Sequence, residues 1–69
     1  MLDISVHVLK GKVIEVKKGA TTAHVRIQLP GGAIITSSIT NEAVEELHLA
    51  TGDDAYAVIK ASDVMVGRD

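Results

Sequence analysis

The chain lacks cysteine, phenylalanine and tryptophan altogether, and its 69 residues include one tyrosine and one proline. Without cysteine there is no disulfide and no thiolate ligand, so the usual staples of a small domain are absent. The three histidines, His7, His24 and His48, are far apart and carry no patterned carboxylate beside them. No directly coordinated metal is therefore expected. The scarcity of aromatic rings removes the platforms on which single-stranded nucleic acid stacks, and a net charge of −2 lacks the basic excess that phosphate backbones select. No nucleic acid partner is expected. Long apolar runs are missing too: none approaches the roughly 20 residues of a membrane-spanning helix, and no signal peptide is visible. No membrane partner and a cytoplasmic location are the expectations that follow, and the absence of cysteine is compatible with them.

What remains is an aliphatic chain. Apolar residues make up 46% of it, too many for a disordered segment, and the core must come from Val, Ile, Leu and Ala. A chain of this length forms one domain, residues 1–69, and buries only about 60% of its extended surface. Association of subunits is the remaining usual remedy, so an oligomer is expected.

Alternation with period 2 organises most of the sequence. Asp3 to Lys10 alternates, with Ile4, Val6 and Val8 on one face and Ser5, His7 and Leu9 on the other. Gly11 interrupts it as a bulge or bend, and Lys12 to Lys18 follows as a second strand. Gly19-Ala20-Thr21-Thr22 is a connection of hairpin length. Ala23, Val25, Ile27 and Leu29 point inward along a third strand, and Pro30-Gly31-Gly32 turns the chain. Ala33 to Ile39 is the fourth, packing through Ile34, Ile35 and Ile39. The period then changes: Thr40 or Asn41 caps a short amphipathic helix through Leu47, with Val44 and Leu47 on one face. His48 stands where such helices often end in Gly, and a left-handed conformation is one way to end there. Ala55 to Ala61 is the fifth strand and Ser62 to Asp69 a tail. The sum is an all-β fold with one short helix, an OB-like five-stranded barrel whose helix plugs one end.

Lys60 lies within the most apolar run, between Ile59 and Ala61. A lysine there either lays its stem along apolar surface with the ammonium in water, or meets a small anion in a nearly dry pocket. Signals of catalysis are poor. Glu42, Glu45 and Glu46 read as the solvated face of the helix. Gly31-Gly32 precedes a strand rather than a helix and is no phosphate loop. Ser5, Ser37 and Ser38 have no adjacent base. The chain is not expected to be an enzyme.

Several stretches resemble one family. They are Leu9-Lys10-Gly11-Lys12-Val13, Lys18-Gly19-Ala20, Ala23-His24-Val25, Gly31-Gly32, Ile39 through Leu47, and Tyr56 through Met65. Together they look like a molbindin, the small Mop-type, TOBE-related molybdate-binding domain, over nearly the whole chain. The resemblance implies a homohexamer, a trimer of dimers, holding molybdate or tungstate at subunit interfaces for storage, with no organic cofactor. Its implied oxyanion site maps onto Ser5, His7, Ala43, Lys60 and Ala61, with a secondary site around Lys18, Gly19, Ala20 and Thr21. Ser5, Lys60 and Ala61 match the family's residues, whereas His7 stands in place of Arg, Val8 of Asn and Ala43 of Ser. Arg is always charged and His only part of the time near neutrality, and Ala43 offers only its backbone amide. The alternative is an assembly module of the same fold with a degenerate site, serving as a scaffold or holding another small ligand.

Overall fold

Why one strand can serve two neighbours is the key to this architecture. The computed structural model describes residues 5–69. Strand β1 runs Val6–Lys18, β2 Thr22–Gln28 and β3 Ile34–Thr40; helix α1 spans Asn41–Glu46, and β4 Asp54–Lys60 leads into a 3₁₀ turn, Ala61–Asp63. All pairings are antiparallel and the sheet order is β3-β2-β1-β4. The first half of β1 pairs β4, from Val6↔Lys60 to Lys12↔Asp54, and the second half pairs β2, from Lys12↔Gln28 to Lys18↔Ala23. The sheet therefore curls around β1 into an OB-like half-barrel whose two edges are β3 and β4.

Among the described residues four strands replace the five expected. Gly11 does not end a strand: it stays paired with Ala55 inside a continuous β1. Its missing side chain serves close packing, because a Cβ there would stand 2.6 Å from the Gln28 carbonyl oxygen and 2.6 Å from Ile27 Cγ2. The bulge falls instead at Ile14, between Val13↔Ile27 and Glu15↔Arg26. One extra residue resets the alternation, so Val13 and Val16, three apart, both turn toward the core. Asp3 and Ile4, placed at the start of the first strand by the sequence, lie outside the described residues.

The core is small and wholly aliphatic: Val13, Ala23, Val25, Ile27, Val44 and Ala57. Ala23, Val25 and Ile27 are the inward residues of β2, as their alternation predicts. Thr40 caps α1, its hydroxyl accepting from the Ala43 amide at 3.1 Å. Val44 enters the core, but Leu47 is 64% exposed rather than sharing that face. The helix stops one residue earlier: His48 turns left-handed at φ 52°, and Leu49 swings back to pack on the core instead. The His48 amide donates to the Glu45 carbonyl at 3.1 Å and the Leu49 amide to the Val44 carbonyl at 3.1 Å, a Schellman termination built on histidine rather than glycine.

Candidate functional site

The free end of the β1–β4 ribbon gathers four of the residues singled out above. Val6 opposes Lys60 and His7 opposes Ile59. One step further the Ala61 amide donates to the Ser5 carbonyl at 2.6 Å, so Ser5 faces Ala61 across the ribbon. Residues opposed in an antiparallel pair share a face. His7 thus lies on the inner face with Leu9, Ala57 and Ile59, while Lys60 lies on the outer face with Val6, Val8 and Val58. Ser5 continues the inner alternation. Lys60 forms no ion pair among the described residues, unlike Lys12 with Asp54 and Lys18 with Glu45, both at 3.3 Å.

Ala43 belongs to a different region. Its helix packs on β2 and β3 rather than on this end of the ribbon, and it is tied to the 18–21 turn. Asn41 Nδ2 donates to the Gly19 carbonyl at 3.0 Å and the Ala20 carbonyl at 3.4 Å, while the Asn41 amide donates to the Thr21 carbonyl at 2.9 Å. Lys18 reaches Glu45 on the same helix. Ala43 and the Lys18-Gly19-Ala20-Thr21 turn are therefore neighbours of each other, held together by Asn41, which the sequence offered only as a possible helix cap. Its only sequence signal was its place at the helix start, where a short amide binds exposed backbone.

The amide expected as a donor at Ala43 is already engaged by the Thr40 hydroxyl, and the Ala61 amide by the Ser5 carbonyl. The ribbon end instead offers the Lys60 ammonium, the Ser5 hydroxyl, the His7 imidazole and the Ser62 group that follows Ala61. The Lys60-Ala61-Ser62 run was visible in the sequence, but that a 3₁₀ turn brings Ser62 beside the ribbon end was not.

Such a collection of donors with few acceptors suits a small oxyanion. No group of three His, Cys, Asp or Glu side chains that could ligate a metal occurs among the described residues, and no helix there is long and apolar enough to cross a membrane. The TOBE domain pattern matches residues 6–66, the span of the ribbon, helix and 3₁₀ turn together. The chain belongs to the TOBE domain family. Among curated relatives of this TOBE domain, molybdenum-pterin-binding protein 1 of Clostridium pasteurianum is 50% identical over 58 residues, covering 84% of the chain and 85% of that protein. MopII from the same organism superposes with a TM-score of 0.88 at 42% identity, over 97% of the chain and 100% of MopII. The cytoplasmic molybdate-binding protein ModG, solved with molybdate bound, superposes with a TM-score of 0.83 at 49% identity, over 86% of the chain and 42% of ModG. The relatives are binding proteins by name, and the TOBE domain described here shares their half-barrel.

Proposed function

We propose that this TOBE domain binds molybdate or tungstate as the free dianion at contacts between its own subunits, and stores it in the cytoplasm without transforming it. The observation that carries this reading is the ribbon end, where Lys60, without an ion pair among the described residues, lies beside Ser5 and Ala61. The naming of the relatives for molybdenum and molybdate supports it. The anion's oxygens accept from Lys60, Ser5 and His7, and the metal atom itself meets no side chain. A charge-assisted hydrogen bond of this kind contributes about 1.5–3 kcal/mol. With one tyrosine and no phenylalanine or tryptophan per chain, the ligand of this reading is the inorganic anion rather than a stacked organic cofactor.

A single subunit does not aim its donors at one point. Lys60 leaves the outer face and His7 the inner, while Ala43 and the 18–21 turn sit on another part of the half-barrel. Convergence comes from assembly, as a homohexamer arranged as a trimer of dimers. The half-barrel itself supports association. An apolar cleft of about 500 Å³ opens beside β4, lined by Ile39, Leu49, Tyr56 and Val58 among others. The tail Val64-Met65-Val66 is exposed at 49%, 91% and 94%. Laid along the free edge of another subunit, that tail adds a fifth strand to the four of the described residues.

Isothermal calorimetry of anion-free protein with molybdate, tungstate and sulfate tests the reading. Binding of molybdate and tungstate well above sulfate is the expected result. No heat with any of the three rejects it.

A further inference from the structure

We infer that the tail of a second copy of this chain pairs antiparallel to the free edge of β4, in the register Val64↔Val58, Val66↔Tyr56, Arg68↔Asp54. The inference rests on the association proposed above and deepens it, because it fixes the edge, the direction and the facing residues. Strand β4 is bonded only to β1, so among the described residues no strand lies along its other side. Edges of this kind are normally blunted by proline, a bulge or a charge in mid-strand. Here β4 contains no proline, pairs with β1 without a bulge, and carries charge only at its two ends, Asp54 and Lys60. The apolar cleft opens along this edge, lined by Ser37 and Ile39 from β3 and by Ala55, Tyr56 and Val58 from β4.

The tail has a pattern that matches. Val64 enters it with extended backbone, φ −84° and ψ 119°, and residues 64–69 are exposed. Residues directly opposed in an antiparallel pair share a face. On the outer face Val64 then meets Val58, Val66 meets Tyr56 and Arg68 meets Asp54. Val58, Tyr56 and Asp54 are all exposed, and Arg68 forms no ion pair among the described residues. Asp54 already lies 3.3 Å from Lys12, so the new pair places it between two cations in one cross-strand row. On the inner face Met65 lies over Ala57 and Gly67 over Ala55, which seats a long, unbranched side chain beside a small one at the cleft.

This register has no close competitor. A slip of one residue turns Arg68 toward the apolar cleft and Met65 out to solvent. A slip of two takes Arg68 away from Asp54. The other edge, β3, presents Ile34, Thr36, Ser38 and Thr40 in its outer row and offers Arg68 no carboxylate. Nor does the tail fill the place within its own chain. Among the described residues it joins no sheet, and the Val64 amide stays with the 3₁₀ turn, donating to the Ala61 carbonyl at 3.2 Å. The occupant is therefore a second copy.

Because the chain has no cysteine, a disulfide reports only on thiols introduced for the purpose. Val58→Cys and Val64→Cys, both at exposed positions, are prepared separately, mixed through dissociation and reassociation, oxidised mildly and run on a non-reducing gel. The expected result is a two-chain band at least tenfold stronger than either variant gives alone. It should exceed by the same factor the band from Val58→Cys mixed with Val66→Cys, whose diagonal positions lie about 7–8 Å apart, beyond disulfide reach. Arg68→Glu should weaken association by about twofold to fivefold in sedimentation, the range of an exposed ion pair. Unchanged association in that variant overturns the Arg68–Asp54 contact. A stronger band from the diagonal mixture overturns the register. A disulfide that closes within one chain of the Val58→Cys/Val64→Cys double variant, with no linked chains, overturns the second copy as occupant. If sedimentation shows an oligomer and no cross-link forms, this inference falls and the association stands. A folded monomer at micromolar concentration removes both.

Discussion

Lys60 occupies the last paired position of β4, on the same face as Val6, and no carboxylate among the described residues reaches it. A lysine that merely snorkels can be replaced by an apolar chain of similar length at little cost. One that holds a dianion cannot. Lys60→Met should weaken molybdate binding by roughly tenfold to a hundredfold, the range of one charge-assisted bond, while the circular dichroism spectrum and sedimentation stay as in the wild type. Unchanged affinity in calorimetry returns Lys60 to the snorkelling role. At the same scale, Gly11→Ala is expected to destabilise by about 1–3 kcal/mol in urea unfolding, because the new methyl meets a backbone carbonyl that has no rotamer to escape into. The sequence announced Lys60 through its apolar setting. It did not announce that Ser5 and Ala61 would be hydrogen-bonded, since that depends on a register of pairing between residues more than fifty positions apart. Nor did it show that His7 and Lys60 fall on opposite faces, for the same reason.

Among the elements, β2 was the most legible, because Ala23, Val25 and Ile27 meet a core on one side while His24, Arg26 and Gln28 meet solvent or charge on the other. The β1 strand was less so. Glycine in a strand usually signals a break, and here the same residue answers to a neighbour's close approach, which no local pattern encodes. The bulge at Ile14 left only a faint mark, the three-residue spacing of Val13 and Val16. At α1 the N-terminus was readable from Thr40 and the C-terminus only in part, since the left-handed turn at His48 exposes Leu47 and substitutes Leu49 for it. That turn carries a test. A left-handed non-glycine residue costs about 1–2 kcal/mol, of which glycine's greater freedom in the unfolded chain gives back about 0.5–1. His48→Gly is thus expected to stabilise the fold by about 0.5–1 kcal/mol, read as a raised urea midpoint at constant slope. Thr40→Ala should act in the opposite direction by about 1 kcal/mol through loss of the cap on the Ala43 amide.

Taken whole, the molecule is more open than its length requires. Its radius of gyration is 13.3 Å, against about 11 Å for a compact chain of this length. Among the described residues ten large apolar side chains are exposed, more than the six that make up the buried core. Both facts agree with the association proposed above. Sedimentation is expected to show a hexamer at micromolar concentration, and removal of residues 64–69 should shift it toward smaller species and weaken molybdate binding in parallel. A folded wild-type monomer under those conditions sinks the assembly and the interface site together. The expectation of association was available from composition alone, because an aliphatic chain of this size without staples has too little to bury by itself. Which surface would be left open was not, since it follows from how the sheet curls.

The solitary ring of Tyr56 gives this openness an optical voice. With no tryptophan in the chain, every near-ultraviolet photon the folded protein absorbs or emits through a side chain passes through that one phenol. It lines the open cleft and is 61% exposed. A quencher such as acrylamide should reach it readily in the dissociated subunit and poorly once another copy covers the cleft. The protein thus carries its own reporter, and the proposed assembly can be tested on dilution without any label.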